Sequence, residues 1–224
     1  MTRSMLTPLI VILLTPWWWI IVQRNALVGL LVLSLSFIIF VYFWQNKSRI
    51  IFLLLLSLTM TLMLVSIRES FDENILRNSA LNIQQYNKRH EFYANDLNKI
   101  YTNRYILTFF KEYNLPLLKL ESNFFANLDP NLYFFASHPR ERLGVEEFEK
   151  YSPIFLPFFL IGFFYIIRIP LSKFLIYLTA SALISTVISP AYNLGPILFF
   201  PIMNFIITVG VILSWKGILK YLRR

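Results

Sequence analysis

The sequence predicts an all-α membrane protein with six transmembrane helices and a helical extracytoplasmic insertion between the third and the fourth. Three observations lead to this fold class. Of the 224 residues, 57% are apolar, and the mean hydropathy is +0.58, which is more apolar than soluble domains usually are. Six apolar segments approach the roughly 20 residues that cross a hydrocarbon core. All twelve acidic residues lie between Glu69 and Glu149, outside those segments.

The apolar segments cover residues 5–22, 26–44, 50–67, 153–167, 171–189 and 195–214. The fourth is short, so we expect it to start near Tyr151 or to be bent by Pro153 and Pro157. The first contains Trp17-Trp18-Trp19, which fits an aromatic belt at the membrane boundary, and it lacks a small-residue cleavage pattern. We therefore interpret it as a retained span. The chain divides into three N-terminal spans (1–67), an extracytoplasmic domain (68–152) and three C-terminal spans with a basic tail (153–224).

The charge distribution predicts the orientation of the chain. Residues 68–152 hold 11 basic and 12 acidic residues, net −1, whereas the rest holds 10 basic and no acidic residues, net +10. With both termini in the cytoplasm, nine of these ten cations fall on the inner side and only Arg24 lies in an outer loop, which is the positive-inside pattern. We predict a multi-pass protein of the plasma membrane with residues 68–152 outside. The bilayer is a partner and nucleic acid is not, because no soluble basic face is predicted.

Several chemistries are excluded or disfavoured by composition. The chain has no cysteine, so disulfides, thiolate catalysis and Cys-ligated metal sites are excluded. No Asp or Glu lies in an apolar segment, which disfavours a proton relay or a carboxylate-lined ion path. We interpret Asn204, inside the sixth segment, as hydrogen-bonding glue between helices. A transporter is further disfavoured because no internal repeat is detectable.

The extracytoplasmic segment begins with a predicted amphipathic helix over residues 79–101. Its apolar positions recur every three or four residues: Ile83, Tyr86, His90, Tyr93, Leu97 and Ile100. We interpret His90 as a hydrogen-bonded core histidine. Three surfaces fit the apolar face of this helix: the tops of the spans, the bilayer surface and a partner protein. A second helical stretch, 104–113, is expected to end at Pro116, and residues 117–135 are expected to form a loop with short helical turns.

The candidate site is NLDPNLYFFASHPRERLG, residues 127–144. Asp-Pro and His-Pro pairs predict two turns, and the aromatic run between them fits the headgroup region of a bilayer. Arg140 and Arg142, with His138, are candidates for binding a phosphate or lipid headgroup, because the guanidinium fork matches phosphate. Asp129 and Glu141 are candidate supporting carboxylates or general bases. The simplest alternative is a surface elbow whose Arg and Glu residues pair with one another and with headgroups.

A metal site in the same stretch is chemically allowed but not indicated by spacing. The residues of suitable type are Asp129, His138, Glu146 and Glu149, but no ligand spacing fixes them into one site. We therefore predict neither a metal nor a cofactor.

Part of the chain resembles known families. NLDPNLYFFASHPRERLGVEEFEKYSPIFLPFFLIGFFYII resembles a segment of multi-pass membrane proteins of candidate-phylum bacteria. Together with ISPAYNLGPILFFPIMNF, it is also similar to the C-terminal part of polytopic C-type glycosyltransferases, which act on polyprenyl-phosphate sugars. The likeness covers about 127–205 and implies a polyprenyl-phosphate lipid as the ligand of Arg140 and Arg142. Those enzymes carry an acidic residue in the first external loop, where this chain has Gln23-Arg24-Asn25. The resemblance thus implies an inactive relative, a subunit or a scaffold.

Two functions remain after these observations. The first is non-enzymatic: an interaction or assembly component of the cell envelope, in which helix 79–101 and the 127–144 elbow bind another envelope protein. The alternative is a glycosyltransferase-like enzyme or subunit that handles polyprenyl-phosphate-linked sugars. The first is favoured because the acidic residue that those enzymes carry is absent here.

Overall fold

The computed structural model describes residues 2–45, 48–69, 83–84, 87–88, 91, 113–135, 150–168, 172–187 and 194–222. These residues are all-helical, without a strand among them. The longer elements are α1 (Thr2–Leu13), α2 (Pro16–Arg24), α3 (Ala26–Phe40, continued by a π-helical turn Val41–Gln45), α4 (Arg49–Glu69), α5 (Asn114–Leu128), α6 (Asn131–Phe134), α7 (Leu156–Arg168), α8 (Ser172–Ser185) and α9 (Phe200–Leu222). Short 3₁₀ turns, Pro153–Phe155 and Ile197–Phe199, precede α7 and α9.

Among the described residues, three helices are long and apolar enough to cross a membrane. They cover Ala26–Trp44, Arg49–Arg68 and Ile197–Gly217, and they confirm the second, third and sixth predicted segments as continuous apolar helices. The pair α1–α2 makes a fourth candidate if it is counted as one broken span. The fourth and fifth predicted segments correspond to shorter apolar helices, Pro153–Arg168 and Phe174–Ser185. The described residues thus contain three to four candidate spans, and the count of six stays a prediction.

The first apolar segment is broken, which differs from the single span expected over residues 5–22. Its two helices meet at an angle of 74°, because Pro16 disfavours the helical conformation of the residue before it. Thr15 accordingly has φ −92° and ψ 119°. Its hydroxyl donates to the Val11 carbonyl at 2.7 Å, and the Trp17 backbone N–H donates to the Lys150 carbonyl at 3.2 Å. The Lys150 carbonyl, from a distant segment of the chain, therefore accepts one of the backbone N–H groups that the break leaves without a helical partner.

The centre of the bundle is α9, which packs against α7, α3 and α1. Every residue from 201 to 210 is buried, as expected for a helix that is apolar on all sides. The closest approach is between α7 and α9, where Gly162 and Gly210 face each other and leave no room for a Cβ atom. By contrast, only 22% of the candidate span in α4 is buried inside the protein. A hydrogen bond between the hydroxyls of Thr59 and Tyr177, 3.0 Å long, joins α4 to α8.

Asn204 is fully buried within α9. Neither its side-chain nitrogen nor its side-chain oxygen has a hydrogen-bond partner in the described part of the chain. The interhelical hydrogen bond expected of this residue is therefore not observed there.

Residues 114–128 form a regular helix, α5, so the loop expected over residues 117–128 and the helix end expected at Pro116 are both wrong. Residues 129–135 form a turn and the short helix α6, which agrees with the short helical turns expected there. Pro116 lies in the first turn, where a missing backbone N–H has no helical partner to lose. The residues of α5 that face the protein recur every three or four positions, but three of them are polar: Lys119, Asn123 and Asn127. The same inward face also carries apolar residues, Leu120, Phe124 and Ala126. A search for apolar periodicity misses such a helix because its inward face mixes polar and apolar residues and its outward face is also partly apolar.

Little of the predicted amphipathic helix 79–101 falls within the described residues. Positions 83–84, 87–88 and 91 are helical, in agreement with the prediction, and their side chains are exposed. The remainder, including His90, lies outside the described residues. Of the predicted helical stretch 104–113, residues 104–112 also lie outside them, and Tyr113 is helical and exposed.

Candidate functional site

Part of the predicted elbow is built into a buried aromatic–lysine junction. We define this junction by five residues: Trp17, Tyr133, Lys150, Tyr151 and Phe200. They come from the start of α2, from α6, from the segment before α7 and from the start of α9. The Trp17 ring centroid lies 5.9 Å from that of Tyr133, 5.9 Å from that of Tyr151 and 5.1 Å from that of Phe200. Such tilted and edge-on pairs are the favoured aromatic geometries.

The polar atoms of the junction are bonded to backbone groups of other segments. The Trp17 indole N–H donates to the Leu194 carbonyl at 2.7 Å. The Tyr133 hydroxyl donates to the Asn127 carbonyl at 2.6 Å, and the Tyr151 hydroxyl donates to the Phe200 carbonyl at 3.2 Å. Because each side chain reaches a different segment, the junction ties the α1–α2 break to α5 and to the start of α9.

Lys150 is the charged member of the junction and is only 4% exposed. Its ammonium donates to the Leu132 carbonyl at 3.2 Å and lies 5.9 Å from the centre of the Trp17 ring, within cation–π range. A buried ammonium is costly without such partners. Gly195 packs directly on the lysine stem: its φ is +69°, and an added Cβ would lie 2.8 Å from Lys150 Cε.

Both phenols of the junction are held protonated. Burial raises the pKa of Tyr133 well above its usual value, and the negative charge of Asp129 adds to this shift. Burial likewise raises the pKa of Tyr151, with a further contribution from Tyr133. The two hydroxyls therefore act as hydrogen-bond donors to carbonyls near neutral pH.

The buried junction overturns two expectations about aromatic residues. Residues 132–135 were expected at the headgroup region, but Leu132, Tyr133 and Phe134 lie in the protein core, with exposures of 9%, 2% and 0%, whereas Phe135 is 47% exposed. Trp17 was expected in an aromatic belt, yet it is fully buried. Only Trp19 of that triplet is exposed. An aromatic residue fits a membrane boundary and a protein core equally well, so composition does not separate the two.

Asp129 is the one member of the predicted site that lies within the described residues. Its carboxylate accepts the Asn131 backbone N–H at 2.9 Å, which confirms the turn predicted at Asp129-Pro130. His138, Arg140, Glu141 and Arg142 lie outside the described residues, so their proposed phosphate contacts stay predictions. Lys150 was not singled out from the sequence, because a lysine before an apolar segment carries no signal of burial.

The described residues contain no group of three or more His, Cys, Asp or Glu side chains close enough to hold a metal ion. The candidate ligands His138, Glu146 and Glu149 lie outside these residues.

The second notable surface is α5, which buries polar groups and exposes apolar ones. The Asn123 side-chain amide donates to the Thr186 carbonyl at 3.0 Å, and that of Asn127 donates to the Ser185 carbonyl at 3.0 Å. These two carbonyls belong to the C-terminal end of α8, where backbone acceptors have no helical partner. The asparagines therefore cap α8 and fix which face of α5 points outward.

The outward face of α5 carries large apolar side chains. Leu117, Phe125 and Leu128 are 48%, 63% and 43% exposed, and their spacings of eight (two four-residue steps) and three residues place them on one helical stripe. Glu121 is exposed on the same stripe, between Leu117 and Phe125. We call this stripe of four residues the α5 outer face.

The apolar helices fit an integral membrane protein, and this is the class that the fold supports. Comparison with protein-family models, with curated proteins and with solved structures found no match. The similarity to C-type glycosyltransferases therefore remains an expectation from the sequence.

Proposed function

We propose that this chain is a multi-pass, non-enzymatic interaction component of the cell envelope, whose binding surface is the α5 outer face. The observation that carries the proposal is the orientation of α5. Asn123 and Asn127 bond to the end of α8 on its inner side, and the large apolar side chains of Leu117, Phe125 and Leu128 are left exposed on its outer side. Contiguous exposed apolar surface rimmed by polar residues is typical of interaction sites.

Glu121 indicates the chemistry of the partner. A carboxylate in the middle of the stripe disfavours burial in hydrocarbon, where an ionised side chain costs at least about 2.5 kcal/mol. A protein can instead offer apolar contacts to Leu117 and Phe125 and a cation to the carboxylate. The partner is therefore an apolar helix that carries a Lys or Arg opposite Glu121.

The charge distribution supports the orientation in this proposal. The cations outside residues 68–152 cluster on one side of the predicted spans, which favours an orientation with both termini in the cytoplasm. The segment that contains α5 then lies outside the plasma membrane, where it meets other envelope proteins. In this orientation the elbow at residues 127–144 rests on the same membrane surface. Its predicted headgroup-binding residues are His138, Arg140 and Arg142, with Asp129 and Glu141 as supporting carboxylates.

Cysteine protection tests the proposal, since the native chain has no cysteine. Phe125→Cys is reacted with a membrane-impermeant PEG-maleimide, first in intact cells and native membrane vesicles and then in purified protein in lipid nanodiscs. Protection in native membranes together with reaction in nanodiscs is the expected result, because purification removes the partner. Lys88→Cys is the matched control: Lys88 is exposed and belongs to the same predicted extracytoplasmic segment, so it should react in all three preparations.

Two results would contradict the proposal. Protection of position 125 in nanodiscs as well means that lipid covers the α5 outer face. Reaction in native membranes means that nothing covers it. A second change, Glu121→Lys added to the Phe125→Cys variant, separates partner binding from misfolding. It should make the thiol at position 125 reactive in native membranes, while the thermal unfolding of the purified protein stays unchanged.

A further inference from the structure

A groove of about 700 Å³ runs between α3 and α4 on the outer surface of the bundle. This volume lies within the roughly 300–1,000 Å³ of ordinary small-molecule sites. The walls are apolar and include Leu27, Leu30, Leu31 and Val65, whereas Asn25 and Arg68 stand at one end. The groove therefore has a mostly apolar part, with Ser34 at its far end, and one charged mouth at Arg68.

The groove lies along two candidate spans, so lipid is the molecule that meets it. Its α3 side extends from Asn25 to Ser34, which at 1.5 Å per residue is about 14 Å. That length matches about half of the roughly 30 Å hydrocarbon core, or one leaflet. Arg68 ends the candidate span of α4, and its side chain is exposed, so the polar mouth lies at the level of the lipid headgroups.

Apolar walls do not select one lipid from another, because every acyl chain covers them equally well. Selection must come from the mouth. A guanidinium forms paired, charge-assisted hydrogen bonds with phosphate oxygens, and its positive charge favours a headgroup with a net negative charge. At the mouth, the side-chain oxygen of Asn25 already accepts the Val28 backbone N–H at 3.2 Å. Among the described residues, Arg68 is the one charged residue that lines the groove, so it is the group that can select the headgroup.

We propose that this groove binds one anionic glycerophospholipid, with an acyl chain along α3 and the phosphate on Arg68. The site is separate from the α5 outer face and from the elbow at residues 127–144, and it does not depend on the proposed interaction function. One cation near an anionic headgroup predicts about a fivefold enrichment of anionic over zwitterionic lipid.

The test is native mass spectrometry of the full chain released from nanodiscs of equal parts phosphatidylglycerol and phosphatidylcholine. The expected result is about fivefold enrichment of retained phosphatidylglycerol in the wild type. Arg68→Gln should lower the ratio to about one. Arg49→Gln should keep it, because Arg49 is an exposed arginine at the opposite end of the same helix.

A third variant tests the groove itself. Leu30→Trp fills the apolar part without touching the charge, and Leu30 is 58% exposed, so the fold should tolerate the change. The ratio should fall towards one here as well. The proposal is overturned if Arg68→Gln keeps the enrichment, if Arg49→Gln abolishes it equally, or if Leu30→Trp leaves it intact; the last result would mean that Arg68 attracts headgroups without a bound chain.

Discussion

The contact between α7 and α9 depends on two glycines, and adding one methyl group there should separate the helices. A Cβ at Gly210 would lie 2.7 Å from the Phe158 carbonyl carbon and would overlap its oxygen. A Cβ at Gly162 would lie 2.9 Å from the carbonyl carbon of Ile206. Ordinary contact begins at 3.4 Å, so Gly210→Ala requires a shift of at least about 0.7 Å (3.4 minus 2.7) between two backbones. Neither backbone can move aside as a flexible side chain can.

The magnitude follows from a matched control on the same helix. Gly217 also lies in α9, and an added Cβ there meets nothing within 4 Å. Both Gly→Ala changes gain the same helix propensity, about 1 kcal/mol, so their difference isolates the packing cost. Overpacking of a tight core costs about 1–3 kcal/mol, and at about 2–4 °C per kcal/mol for a chain of this size the two melting temperatures should differ by about 2–12 °C.

The assay is thermal unfolding of the purified variants in one detergent, followed by the loss of helical circular dichroism. We expect Gly217→Ala to equal or exceed the wild type and Gly210→Ala to melt below it. Gly162→Ala should behave as Gly210→Ala does, because the two glycines face each other. The close approach would be refuted if Gly210→Ala melted at or above the temperature of Gly217→Ala.

Two further predictions concern the aromatic–lysine junction. Trp17→Phe removes a buried hydrogen-bond donor and leaves a carbonyl unsatisfied, so it should lower the free energy of unfolding by about 1–3 kcal/mol. The control is Trp19→Phe, at an exposed indole that also donates to a carbonyl. This change should alter the free energy of unfolding by no more than about 0.5 kcal/mol. If urea unfolding showed equal losses of stability for the two variants, a buried junction would be contradicted. The raised pKa values of Tyr133 and Tyr151 predict stability that is fully present below the unfolded value of about 10 and lost as the pH rises above it. In that range each tyrosine should contribute a slope of about −1.4 kcal/mol per pH unit, and the Tyr151→Phe variant should show a shallower decline in melting temperature between about pH 9 and pH 11; an unchanged slope would speak against the assigned shift.

The long apolar helices were predictable because their cause is local. Residues 26–44 and 50–67 are uninterrupted apolar runs, and the structure places helices at Ala26–Trp44 and Arg49–Arg68. A backbone in hydrocarbon must satisfy its own hydrogen bonds, which makes a long apolar run and a helix nearly equivalent. The Asp129-Pro130 turn was predictable for the same reason, since the Asp side chain bonds a backbone N–H two residues on.

The candidate site was harder to predict, because its partners are distant in sequence. Trp17 and Leu194 are 177 residues apart, and no local sequence pattern predicts that the indole of one will donate a hydrogen bond to the carbonyl of the other. Helix α5 was predicted as a loop for a related reason. Asn123 and Asn127 are typical of solvated loops, and only their hydrogen bonds to the end of α8 show that they face the protein.

The sequence alone determined that the chain is helical and rich in apolar helices, as an integral membrane protein is, and it determined the positions of the long apolar helices and the segregation of acidic residues into one segment. Composition and run length suffice for this because they act within a single helix. Tertiary structure alone decided that Trp17 and Tyr133 are core residues, that Lys150 is buried, and that α5 faces the protein with Asn123 and Asn127 and leaves Leu117, Phe125 and Leu128 exposed. These outcomes depend on which backbone groups are left unsatisfied where helices meet. That information lies in the packing of separate segments and not in any one of them.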